Sequence, residues 1–426
     1  MQFAAGPLAL RTTALLNCLA PSGDYRPRAS PFHGRQRMSR GFGAWPEFTL
    51  EELDVVTSVL RSGQVNYWTG EEGRTFEGEF AAFCNTEHAV ALSNGTVALE
   101  LALRALEIGP GDEVVVTPRT FIASISAIVM VGASPVFADV DVDSQNITPS
   151  TVAEALTDRT RAIIAVHLAG WPCDMDGLMA LAGKHDLYVI EDCAQAHGAL
   201  YKGRPVGGLG HVAAWSFCQD KIMTTGGEGG MLTTNDPAIW ERVWSFKDHG
   251  KAWDAVYNRE HPAGFRWLHE SFGTNARMTE MQAAIGRVQL RKMSDWNEKR
   301  RRNALILEEC FQDIPAFHVT ETPASIRHAY YKYYVFVRPE LLTEAWNRDR
   351  IIDAVTRAGV PCFSGSCSEV YLEKAFEGTG FRPEERLPVA RALGESSLMF
   401  LVHPTLSPDE MVTMCRVVCE VMQQAL

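Results

Sequence analysis

The chain has 426 residues, 46% hydrophobic and 22% charged, with a formal net charge of -12. That is the composition of a globular protein of two or three domains, and the acidic balance excludes a general electrostatic grip on nucleic acid or an anionic membrane. Ten cysteines are scattered between positions 18 and 419 with no CxxC pair or zinc-like spacing, so no metal site is expected and reduced thiols in a cytoplasmic protein are the reading. No apolar run approaches the roughly 18 residues of a membrane-spanning helix.

Residues 1 to 40 carry six arginines, a single acid at Asp24 and several prolines. This composition does not predict packing and reads as a disordered extension, or as sequence ahead of a start at Met38. Nothing basic precedes the first apolar stretch, which disfavours a secretory signal. The extension is placed at 1–44 and the folded body begins near Trp45. Thr49-Leu50-Glu51-Glu52 has capping-box spacing and opens a helix that stops at Ser62-Gly63.

From there to about residue 235, β-branched runs alternate with helical patterns. Strands are expected at 88–92, 113–117, 135–138, 162–166, 187–191, 212–217 and 230–234. The rhythm predicts an α/β fold in which residues 45–289 form a large domain, its mostly parallel sheet flanked by crossover helices. The helix after Gly95 has polar residues only at Glu100, Arg104 and Glu107, one stripe at helical spacing, so its other sides must be buried. Helices at 238–247 and 278–312 lead into a smaller C-terminal α/β domain, 290–426, with a strand at 330–337, a helix at 347–358 and a last helix from Pro408.

Ligands of open α/β sheets bind beyond the carboxyl ends of the strands, and four such ends carry chemistry. The strand at 187–191 runs into Asp192-Cys193-Ala194-Gln195-Ala196-His197-Gly198. A carboxylate at that tip is either a cap or the partner of a cationic ring nitrogen in an electron-sink cofactor. The strand at 212–217 leads to Cys218-Gln219-Asp220-Lys221 and then to Gly226-Gly227-Glu228-Gly229-Gly230. A lone loop lysine is usually just solvated; one that forms Schiff bases must be desolvated, so that its pKa falls from about 10.4 toward neutrality. Flanking aromatic residues could supply that environment. Ser93-Asn94-Gly95-Thr96 precedes the buried helix, where free N–H groups and the dipole suit a phosphate, although a plain cap is an equal reading. Thr117-Pro118-Arg119-Thr120-Phe121 places an aromatic past a fourth strand, as core or as a platform for a flat ring.

With these segments in order, residues 45–426 resemble the DegT/DnrJ/StrS-type sugar aminotransferases, a branch of the fold-type I pyridoxal-phosphate (PLP) enzymes. The matching stretches are Asn94-Gly95-Thr96-Val97-Ala98-Leu99, Gly109-Pro110-Gly111-Asp112-Glu113-Val114, Val136-Phe137-Ala138-Asp139-Val140, Glu191-Asp192-Cys193-Ala194-Gln195, residues 216–230, and Gly273-Thr274-Asn275-Ala276-Arg277-Met278. The resemblance implies that Lys221 carries pyridoxal 5'-phosphate as a Schiff base and that Asp192 pairs with the ring nitrogen. It further implies that Gln195 lies near the ring hydroxyl, that Phe121 stacks on the ring and that Ser216, Gly95 and Thr96 hold the phosphate. Asn275 would reach the phosphate of the neighbouring subunit, making a homodimer with shared active sites.

The implied reaction is a ping-pong transfer of an amino group from an amino acid, L-glutamate, to a keto-sugar, nucleotide-linked. Keto-cyclitol aminotransferases and aminobenzoate-type synthases share the fold and the lysine; a non-catalytic PLP-binding regulator is the reading from another class. A dehydrating branch replaces the lysine by histidine, against which Lys221 stands. Phe217-Cys218-Gln219-Asp220 departs from the commoner family pattern, which often has histidine and proline before the lysine. Asn66, Trp68 and His328 are candidate acceptor contacts, with aromatic packing between domains as the alternative, and His197 reads as structural. Gly208-Leu209-Gly210-His211-Val212-Ala213 nominally fits a dinucleotide fingerprint but leads into a strand rather than a helix.

Overall fold

The computed structural model describes residues 41–426, so the expectations for residues 1 to 40 lie outside the described residues. A seven-stranded sheet has the order 88–92, 230–234, 212–216, 188–192, 160–166, 113–116, 134–137. Neighbours are parallel from Val212–Ser216 outward to Ser134–Phe137. Gly230–Thr234 alone is reversed, running antiparallel to both of its neighbours. The sheet is therefore mostly parallel, as the alternation of apolar runs and helical patterns predicts.

The apolar runs are continuous because helices cover both faces. Alternate residues enter opposite cores, as the two-residue period of a strand requires. Val114, Val116, Ile164 and Ile190 pack in one cluster, and Val115, Ile163 and Val189 in another. The helix Gly95–Ala105 buries Ala98, Leu99, Leu101, Ala102, Leu103 and Ala105. The helix Leu50–Ser62 opens with the Thr49/Glu52 capping box. Contacts to the body begin just ahead of it: Gly43 N donates to Glu410 Oε1 at 2.6 Å, and the Ala44 carbonyl accepts from Thr405.

A 32-residue helix, Glu280–Phe311, starts from a Thr279/Gln282 capping box and passes through positions 289 and 290 without a break. Its first half, through Ala283, Met293 and Trp296, packs with Phe76, Phe217 and Met278. Its second half, through Ala304, Leu307 and Phe311, packs with Val335, Phe400 and Val418. The latter cluster underlies a four-stranded antiparallel sheet in the order 317–318, 333–337, 397–400, 362–363, covered by the helices Arg348–Arg357 and Pro408–Ala425. The strand expected from residue 330 begins only at Tyr333. The preceding residues are pulled out of line, Ala329 N bonding to Gly170 O and Tyr331 N to Ala169 O, with Tyr330 in the left-handed region at φ 48°.

Candidate active site

His88–Leu92 and Val212–Ser216 both pair with Gly230–Thr234, in a register that sets Leu92 and Ser216 opposite the same residue, Gly230. The helix beginning at Gly95 is thereby forced against the end of the 212–216 strand. A Cβ on Gly95 would lie 2.7 Å from Ser216 Cβ, and one on Gly230 would lie 2.4 Å from the Asn94 carbonyl. Both positions require glycine for this approach. Asn94, not Thr96, is the cap, its Oδ1 accepting from Val97 N at 2.9 Å. This leaves the Gly95 and Thr96 N–H groups at the open end of an 11-residue helix beside the Ser216 hydroxyl, a setting that fits a phosphate.

Asp192 is the last residue of its strand rather than the first of the loop, and it pairs in register with Ala214 of the neighbouring strand. Its buried carboxylate is aimed by two donors, the Ser124 hydroxyl to Oδ2 at 2.8 Å and Ala194 N to Oδ1 at 3.1 Å. Thr120 Oγ1 lies 3.1 Å from Ser124 Oγ. The same turn carries Phe121, which is 66% exposed although Thr120 before it is buried. An aromatic left uncovered beside an anchored carboxylate fits a flat cationic ring. Gln195 Oε1 accepts from Ala169 N at 2.7 Å, tying the loop after Asp192 to the segment that holds Tyr331.

Lys221 sits in the loop after Ser216, its own N–H donating to Cys218 O and its carbonyl accepting from Trp45 Nε1 at 2.8 Å. Its Nζ lies 5.0 Å from the centre of the Tyr331 ring. The Tyr331 hydroxyl donates to Asp220, the residue before the lysine. Burial opposes ionisation of Asp220, but Lys221, the Tyr331 hydroxyl and Lys332 outweigh it and hold the carboxyl below its ordinary range. Burial, reinforced by Asp220, pushes the Tyr331 phenol up. Behind this group lies Arg300, fully buried, one terminal nitrogen shared between the Tyr330 and Tyr331 carbonyls.

The structure thus brings Gly95, Thr96, Ser216, Lys221, Asp192, Gln195 and Phe121 to one sheet edge. Asn275 is exposed on a segment next to that edge, where the following Ala276 O accepts from Ser93 N. Asn66 and Trp68 have other partners within the chain. Asn66 Oδ1 accepts from Trp68 N, and the Trp68 ring meets Tyr67, Trp244 and Lys251. His328 stacks on Tyr330 at 4.1 Å and crosses Trp171, and burial pulls its pKa down to about 3. His197 is buried between Trp215 and Phe217 with a pKa likewise near 3. The Gly208–Gly210 turn has a structural role, because N–H groups of Gly207, Leu209 and Gly210 cap the buried Glu191 carboxylate. Ser124, Lys332 and Arg300 carry no local sequence signal that marks them as site residues; Tyr331 ends the aromatic run that begins at the candidate His328, and Asp220 belongs to the departing segment before the lysine.

A mostly parallel sheet whose edge gathers a helix start suited to a phosphate, an anchored carboxylate, an uncovered aromatic and a lysine fits a PLP-dependent aminotransferase. The chain belongs to the DegT/DnrJ/EryC1/StrS aminotransferase family, which it matches over residues 46–419. It is 38% identical to the dTDP-3-amino-3,4,6-trideoxy-alpha-D-glucose transaminase of Streptomyces venezuelae, over 85% of this chain and 90% of that one. Identity is 36% with the UDP-N-acetyl-3-dehydro-alpha-D-glucosamine 3-aminotransferase of Acidithiobacillus ferrooxidans, over 82% and 88%. The X-ray structure of the aminotransferase from Psychrobacter cryohalolentis superposes with a TM-score of 0.89 at 60% identity, covering 90% of this chain and 99% of that one.

Proposed function

We propose that the protein transfers the amino group of an amino acid, L-glutamate, to a keto group on a nucleotide-linked sugar, using pyridoxal 5'-phosphate held by Lys221. The observation that carries this reading is the shared strand edge: Asp192 and Ser216 end neighbouring parallel strands, and Lys221 and the helix start at Gly95 lie beside them. The sugar nucleotides named for the two relatives support the acceptor class. Asn275, exposed next to the cradle, would complete the phosphate site of a second subunit in a homodimer. The nine described cysteines are free, which fits a reducing cytoplasm.

The cofactor, when bound, supplies a ring that absorbs the electron pair left when the donor α-carbon loses its proton. The chain supplies the rest. The Gly95 and Thr96 N–H groups and the Ser216 hydroxyl would bind the phosphate. Asp192, aimed by Ser124 and Ala194, would hold the proton at the ring nitrogen. Phe121 would support the flat ring. Lys221, which would hold the cofactor, would also take the proton from the donor α-carbon on its freed Nζ and pass it to the cofactor.

Borohydride reduction of the purified protein, followed by peptide mapping, should place the cofactor on Lys221; an adduct on another lysine rejects the assignment. The pyridoxamine form is then offered keto-sugars and keto-cyclitols, and return of the Schiff-base absorbance with the sugar nucleotides is the expected result.

A further inference from the structure

The segment Phe217-Cys218-Gln219-Asp220 before Lys221 departs from the commoner family pattern, and Asp220 belongs to a cluster of which the transfer reaction above uses only Lys221. Asp220 faces Lys221, Tyr331 and Lys332, and Arg300 lies behind them. Two cations, Lys221 and Lys332, therefore act on one carboxylate, whose Oδ2 is taken by the Tyr331 hydroxyl. Arg300 is fully buried behind the cluster, with Nη1 on the Tyr330 and Tyr331 carbonyls and Nε and Nη2 without a hydrogen-bond partner among the described residues. Lys332 is only half-buried; among the described residues it makes no ion pair, and Asp220 attracts it without a hydrogen bond. Its Nζ lies 4.7 Å from the centre of the Tyr331 ring, the same ring that Lys221 Nζ meets at 5.0 Å.

We propose that Lys332 binds the α-carboxylate of the amino-acid donor. This rests on the transaminase reading, which puts the donor nitrogen at Lys221. The α-carboxylate carbon is two bonds from that nitrogen, and Lys332 Nζ lies against the same aromatic ring as Lys221 Nζ. The diphosphate of a sugar nucleotide is separated from the reacting carbon by the sugar ring and falls farther off. A partly buried ammonium that no carboxylate touches directly is costly, and a carboxylate arriving with the substrate lowers that cost. In keeping with this, burial pulls the Lys332 pKa down to about 8, with Arg300 and Lys221 adding to it and only Asp220 opposing. The bond between the Tyr331 hydroxyl and Asp220 fixes the ring that spaces the two lysines.

The test compares holoenzyme with Lys332→Met, which keeps the length of the side chain without its charge, and with Lys332→Arg. Melting temperature and cofactor content establish that each variant folds and loads, and Lys332→Gln replaces the Met variant if it does not. In the half-reaction with L-glutamate, Lys332→Met should raise the apparent Kd at least tenfold and change the limiting rate less than threefold, and the Arg variant should recover most of the affinity. The acceptor half-reaction should be unchanged. Removing the cation should also move the deprotonation of the Schiff-base chromophore to higher pH, because a positive neighbour disfavours the protonated linkage. An unaltered glutamate Kd overturns the proposal, and so does a loss confined to the acceptor half-reaction, which would assign the cation to the sugar nucleotide. A wild-type protein with no Schiff base on Lys221 would instead reject the transaminase reading itself.

Discussion

The Ser124 hydroxyl donates a 2.8 Å hydrogen bond to Asp192 Oδ2, joining the start of the helix Ala123–Met130 to the end of the central strand Tyr188–Asp192. The two residues are 68 positions apart, and both are buried. With Ala194 N on the other oxygen, Asp192 cannot turn away from the strand edge. A hydrogen bond to a charged group contributes about 1.5–3 kcal/mol. Ser124→Ala should therefore lower turnover by roughly ten- to a hundredfold, while Ser124→Thr, which keeps the hydroxyl, should stay near wild type. Asp192→Asn should go further, retaining cofactor but losing most transamination. Cofactor content and half-reaction rate, measured side by side, separate these effects from simple loss of loading.

Gly95→Ala tests the phosphate cradle. Alanine is the better helix former by about 1 kcal/mol, so propensity alone predicts a neutral or stabilising change. The added Cβ would stand 2.7 Å from Ser216 Cβ and 3.2 Å from its Cα, so the helix start or the strand end must shift. Cofactor dissociation, followed by absorbance on dialysis, should be at least tenfold easier, with Ser216→Ala giving a smaller effect. Unchanged cofactor affinity would place the phosphate elsewhere.

Most of the main sheet is legible in the sequence because strands buried on both faces are written as unbroken β-branched runs. The strand 88–92 and the strand 230–234 have the limits expected of them, and others differ by a residue or two. The local site signals are legible for a related reason: a strand end followed by glycine, a carboxylate or a lysine is readable without knowing the fold. What depends on distant pairing is not. The helix Ala123–Met130 has no charged residue and only two serines, Ser124 and Ser126, so it carries no polar stripe to read. Asp220 and Tyr331 are 111 residues apart, and nothing local in either segment announces their bond. The late start of the strand Tyr333–Val337 has the same origin, since residues 329–331 are claimed by the 169–170 turn.

Acid should destabilise the protein through its buried histidines. Burial is the leading cause that pulls His197, His328 and His403 down to about 3, against an ordinary value of 6.5. Between those values the unfolded chain binds protons that the folded chain refuses. The stability they confer is full above pH 6.5 and is lost progressively as the pH falls toward 3. Well below pH 6.5 each such group contributes a slope of about 1.4 kcal/mol per pH unit. Melting temperatures between pH 7.5 and 5 should fall, and His197→Gln should flatten the dependence whatever its effect at pH 7.5. An identical slope in that variant would mean that His197 titrates normally in the folded protein.

The shared-site prediction concerns Asn275, which lies 54 positions after Lys221 and is exposed, while the next residue, Ala276, is buried and bonded to Ser93. Its backbone is fixed beside the cradle of its own chain, but its side chain faces outward, where a second copy would meet it. If Asn275 reaches the partner's phosphate, Asn275→Asp should cripple the enzyme by setting a carboxylate against the phosphate, and Lys221→Ala should do so by removing the Schiff base. Both homodimers should be nearly inactive. Unfolded and refolded together, the two mutant chains form heterodimers in which one site combines the intact lysine of one chain with the intact asparagine of the other. The second site of the same heterodimer carries both defects. A heterodimer should thus regain about half of the wild-type turnover per dimer, since one of its two sites is whole. A contact made within one chain leaves a defect in every site and predicts no recovery. Heterodimers isolated by two different affinity tags and found inactive would therefore reject the shared site.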